Sequence, residues 1–68
     1  MLVKYEYENE IIAEAELSYP PHEEEGVSIW GEEYTISYIT HEVEIKKKTH
    51  GKKCVIEKII CTLYKENE

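Results

Sequence analysis

Residues 27–46 read "VSIWGEEYTISYITHEVEIK", and the phase of the apolar side chains changes partway along them. Tyr34, Ile36 and Tyr38 occupy alternate positions and share one face of an extended chain, whereas Ile39, Val43 and Ile45 occupy the opposite set. Side chains on a strand repeat every two residues, so both sets reach one core only if an extra residue or a sharp bend intervenes. The stretch therefore predicts a short strand at 27–30, a tight turn at "GEE", and a long strand over about 33–46 bent near Tyr38 to Thr40. A bend of that kind lets a small sheet curl.

Upstream, "LVKYEYENEIIAEAELSY" alternates on both sides of Asn9. Val3, Tyr5, Tyr7, Ile11, Ala13, Ala15 and Leu17 fall on one parity, and Lys4, Glu6, Glu8, Ile12, Glu14 and Glu16 on the other. That is a hairpin with one apolar face and one face lined with glutamate, its strands at about 2–8 and 11–18 and its turn at Glu8 to Glu10. The prolines of "YPPHEEEG" cannot donate ladder hydrogen bonds, so the pairing stops there in a loop. Downstream, "CVIEKIICTLYK" fits a helical stripe through Val55, Ile59 and Leu63, and a strand face through Val55, Ile59, Cys61 and Leu63. Its richness in β-branched residues and cysteine favours the strand. The expected fold is thus all-β, a single domain over residues 1–68. We expect a small antiparallel open barrel or curled sheet of four to five strands, SH3-like in style.

Composition narrows the function. An apolar fraction of 41% against 34% charged residues marks a globular chain, although 68 residues sit near the lower limit for a self-sufficient core. Self-association, most simply a homodimer, is expected on that ground. The charge is divided: residues 1–45 hold twelve glutamates and one lysine, and residues 46–68 hold seven lysines and three glutamates. With neither arginine nor aspartate present, the bidentate forks suited to base recognition are missing, which argues against sequence-specific nucleic-acid binding. No apolar run approaches the roughly 20 residues of a membrane span, and no leader-like segment opens the chain, so a cytoplasmic protein is expected. Cys54 and Cys61 lie seven residues apart on one strand, more than about 20 Å when extended, which is beyond disulfide reach.

"PPHEEEGVSIWGEEYTISYITHEVE" joins prolines, a glycine, a short apolar strand, a second glycine, a tyrosine and an alternating strand that carries His41. In this it resembles small uncharacterised β-barrel proteins of bacteriophages and their bacterial hosts, over about residues 18–45. The resemblance implies a context, since short phage proteins of this kind often bind and disable a host factor. Ser18, Ser28 and Ser37 lack the elbow or glycine frame of a nucleophile, and most glutamates alternate with apolar residues on exposed faces, so a non-enzymatic protein is expected. With the resemblance, the expected function is that of a phage-encoded inhibitor that binds and blocks a host defence or transcription protein.

Two groups of side chains stand out as binding residues. Val27 and Ile29 face the core, which turns Trp30 outward beside Gly31. There it either covers an open barrel end or anchors a partner, with Tyr19, Tyr34, Glu32 and Glu33 extending the patch. Lys46, Lys47, Lys48, Lys52 and Lys53 surround Gly51 in "KKKTHGKKC". They form a solvated hairpin tip, or an anion-binding loop able to sequester a nucleotide signal in an oligomer, or a cationic knob that docks on the glutamate face of another copy. A structural or regulatory β-module remains as a further alternative. No cofactor is expected. The spacing His50-x3-Cys54-x6-Cys61 lacks the close cysteine pairs of a zinc finger or ribbon, so no metal is expected either.

Overall fold

The computed structural model describes residues 1–49 and 52–66; His50, Gly51, Asn67 and Glu68 fall outside it, as do the side chains of residues 46–49 and 52–55. The described chain is all-β, with β1 (Leu2–Tyr7), β2 (Glu10–Glu16), β3 (Gly26–Ile29), β4 (Glu32–Thr49) and β5 (Lys52–Tyr64) in one curled sheet of order β2-β1-β5-β4-β3. The C-terminal element is a strand, as its β-branched content predicts.

The β1–β2 and β3–β4 hairpins each close through two residues of positive φ. Glu8 (φ 52°) and Asn9 (φ 67°) join Tyr7 to Glu10, and Trp30 (φ 51°) and Gly31 (φ 79°) join Ile29 to Glu32. Left-handed angles at both central positions are the mark of the type I′ turn, whose twist matches that of the strands it connects. The second turn therefore lies one residue earlier than the expected "GEE", and Trp30 belongs to the turn rather than to the preceding strand.

The expected bend in the long strand is present. Ile36 pairs with Leu63 and Tyr38 with Thr62, which leaves Ser37 as the extra residue, just upstream of the expected interval. The Ser37 hydroxyl donates to the Thr62 carbonyl oxygen at 3.1 Å, so the bulge brings its own hydrogen bond. Its effect is to change parity: Tyr34 and Ile36 face the core before it, and Ile39 faces the core after it. A second bulge escaped the alternation argument. Tyr5 pairs with Ala13 and Glu6 with Ile11, so Ile12 is extra on β2 and packs against the core, while Ile11 is 45% exposed.

Three of the four strand pairings are antiparallel, and the fourth, β1 with β5, is parallel. The exception to a purely antiparallel sheet follows from the path of segment 17–25, which leaves β2 on one edge and enters β3 on the other. Four interstrand gaps of about 4.8 Å lie between those edges in a flat sheet, a distance nine residues span easily once the sheet curls. Pro21 is buried along this crossing, and its far end is fixed by Glu24 N–H to Ile36 O (2.8 Å) and Ile36 N–H to Glu25 O (3.0 Å).

The core is one face of this sheet: Val3, Tyr5, Ile36, Cys61 and Leu63 are buried, with Ala13, Ala15, Val27 and Ile59 among those packed around them. The molecule is nevertheless long, at 51 × 24 × 19 Å with a radius of gyration of 14.4 Å, against about 11 Å for a compact domain of this length. The length comes from β4 and β5. Beyond the Val3–Ile59 pair and the β3 pairings they continue alone as a two-stranded arm, their backbones paired as far as Thr49 and Lys52. Lys46–Thr49 and Lys52–Cys54 of the lysine-rich stretch are thus strand, and the remainder of the expected tip, His50 and Gly51, lies outside the described residues.

The Ile12 bulge has a direct test. Ile12→Ala should destabilise the fold by about 2 kcal/mol or more, and Ile11→Ala by under about 1 kcal/mol. Denaturant titration of both variants checks this, and a larger loss at Ile11 would return the strand to unbroken alternation.

Candidate functional site

The β3–β4 hairpin carries the most exposed large apolar side chain among the described residues. Trp30 is 98% exposed, so it covers no barrel end and contributes almost nothing to the core. Its backbone is also expensive: a bulky residue held at a left-handed φ costs about 1–2 kcal/mol, where asparagine or glycine would sit easily.

Behind the turn, an open groove of about 780 Å³ runs along the hairpin, with Gly31, Glu32, Glu33, Tyr34, Lys65 and Glu66 in its lining. Lys65 organises it. Its Nζ lies 3.2 Å from a Glu32 carboxylate oxygen, 5.3 Å from the centre of the Tyr34 ring and 5.6 Å from that of Tyr7. The two rings meet edge to face at 5.0 Å and 66°. A lysine head over two aromatic faces, held by a carboxylate, fixes the groove wall where β1, β4 and β5 converge. Glu33 and Glu66 add negative charge to the same lining, so the groove favours cationic groups.

Of the expected contact residues, Glu32, Glu33 and Tyr34 share this groove, and Trp30 stands at its end in the adjoining turn. Tyr19 is exposed on the crossing segment and is not in the lining. The anion-binding reading of Lys46, Lys47, Lys48, Lys52 and Lys53 falls on side chains outside the described residues. Tyr7 and Lys65 were not foreseen. Tyr7 reads as one more inward position of the first strand, and Lys65 reaches it only through the parallel β1–β5 register, which leaves no local mark in the sequence.

The buried titratable groups lie in the core rather than in the groove. Burial, and then the nearby Glu25 carboxylate, push the Cys61 thiol above its ordinary 9.0; burial and the neighbouring Cys61 raise the Tyr5 hydroxyl above 10.0. Among the described residues no group of three His, Cys, Asp or Glu side chains is placed to hold a metal, and no helix is long and apolar enough to cross a membrane. No family model, curated protein or solved structure matches the chain.

Both raised groups stay neutral in the folded chain where they would ionise in the unfolded one. Their contribution is therefore complete below the ordinary thiol value and is lost as pH rises from there through the folded values. Stability should fall as pH rises above about 9, and Cys61→Ala should flatten the fall. Denaturation midpoints across that range provide the check; a pH-independent midpoint would contradict it.

Proposed function

We propose that this chain is a non-enzymatic binding protein that grips a partner protein through Trp30 and the acidic groove beside it, and acts by blocking that partner. One observation carries the reading: a tryptophan is 98% exposed at a turn position where its backbone conformation is unfavourable. A side chain that stabilises nothing and costs something in the free molecule is what selection for an intermolecular contact leaves behind. Tryptophan is among the residues most often found at the energetic centre of interfaces, where it fills a pocket on the partner. Glu32, Glu33 and Glu66 around the groove suit a partner surface rich in lysine or arginine. The inhibitory role rests on the resemblance of residues 18–45 to small phage and bacterial proteins, and a host protein is the corresponding partner.

Trp30→Asn separates fold from function, because asparagine tolerates the left-handed turn. The variant should be as stable as the parent or more stable, by a few tenths to about 1 kcal/mol, and should bind the partner at least about tenfold more weakly. Both chains are immobilised and exposed to a bacterial lysate, and proteins retained by the parent alone are purified and titrated by calorimetry. Equal retention by the two chains would remove Trp30 from the interface.

A further inference from the structure

The β4–β5 arm presents an unsolved problem of its own. A two-stranded ribbon is marginal in water, yet this one projects from the sheet and leaves Val43 (53%) and Ile45 (64%) exposed on the continuation of the core face. One cross-strand ion pair, Glu42–Lys58 at 3.2 Å, and the His41–Glu57 contact at 3.7 Å join exposed or half-exposed partners and stabilise it little. Among the described residues, nothing pairs with the outer edge of β4 beyond Ile36.

We propose that this edge pairs antiparallel with the same edge of a second copy, about a two-fold axis at Ile45, so that two arms merge into one four-stranded sheet. The edge lies apart from Trp30 and shares no residue with the groove beside it.

The charge sequence selects the register. In "EVEIKKK", residues 42–48, positions equally distant from Ile45 carry opposite charge: Glu44 mirrors Lys46, and Glu42 mirrors Lys48. Antiparallel pairing about Ile45 therefore sets Glu44 of each copy opposite Lys46 of the other, with Glu42 towards Lys48 past the register shift that follows Lys46. The residue numbers of each pair sum to 90, an even value, so opposed residues have the same parity. Over the regular part of the strand, outward-pointing backbone groups then meet outward-pointing ones.

Neighbouring registers of the same parity fail on charge. An axis at residue 44 sets Glu44 on Glu44, at 46 Lys46 on Lys46, at 43 Glu42 on Glu44, and at 47 Lys46 on Lys48. The axis at Ile45 also joins the exposed apolar side chains, with Ile45 against its own copy and Val43 close by.

The other edges are poorer choices. β2 lines its edge with Glu10, Glu14 and Glu16, which repel a second copy, and β3 is only four residues long. On the arm's β5 edge, the register that matches Glu57 with Lys53 sets Lys58 on Lys52.

Charge reversal tests the pairing. Light scattering on the parent at micromolar concentration should give twice the 8.1 kDa chain mass. Glu42→Lys with Glu44→Lys makes positions 42, 44, 46 and 48 all basic, and Lys46→Glu with Lys48→Glu makes the same four positions all acidic. Each double variant should dimerise at least tenfold more weakly, and mixing the two should restore a dimer of one copy of each. A monomeric parent, variants that dimerise like it, or a mixture that stays monomeric would each overturn the proposal.

Cross-linking gives a readout that does not depend on reversed charge. In a Cys54→Ser background, Ile45→Cys should close a disulfide between copies on oxidation, and Val43→Cys, which faces position 47, should not. Failure at 45, or equal yield at both positions, would refute the axis.

Discussion

β5 holds the sheet together. The β1–β2 hairpin and the β3–β4 hairpin do not pair with each other; each is joined to the molecule through a different edge of this one strand. Of the core residues buried among the described ones, Cys61 and Leu63 are on β5, Val3 and Tyr5 on the strand along one side of it, and Ile36 on the strand along the other. A lone hairpin is marginal in water, so the fold depends on β5 being inserted between β1 and β4. The most distant contacts in the sequence are the ones on which everything else depends.

Two bulges adapt the hairpins to that strand. Ser37 shifts the parity of β4, which lets Ile36 and Ile39 both face β5's buried side, and Ile12 does the same for β2 against β1. Without the Ser37 insertion, either the base of β4 or its middle would turn its apolar side to solvent. The same shift aligns Val43 and Ile45 with the core face along the arm. The exposed apolar stripe is therefore a consequence of how the core was assembled.

Period and turn chemistry carried far in the reading of this chain, and tertiary pairing limited it. Alternation placed the first four strands, β-branched content placed the C-terminal one where the period fitted helix and strand alike, and the mismatch between Tyr34–Ile36 and Ile39–Val43 located the bulge to within a residue or two. The Ile12 bulge was hidden because Ile11 and Ile12 are chemically identical, so a phase change between them leaves no trace. Trp30 was legible as an outward residue from the facing of Val27 and Ile29. Its place in the turn was not, since tryptophan is not a residue one assigns to positive φ. The Tyr7–Tyr34–Lys65 cluster needs the parallel β1–β5 register, and no local pattern announces a pairing between residues almost sixty positions apart.

Native-state amide exchange tests the role of β5 most directly. If the two hairpins depend on it, the most protected amides of β1, between Val3 and Glu6, and those of β5, between Ile59 and Thr62, should exchange together, in one event with the free energy of global unfolding. Exchange of β1 and β2 at a distinctly lower free energy, with β4 and β5 still protected, would show that the arm and its sheet stand without the first hairpin, and would contradict the account.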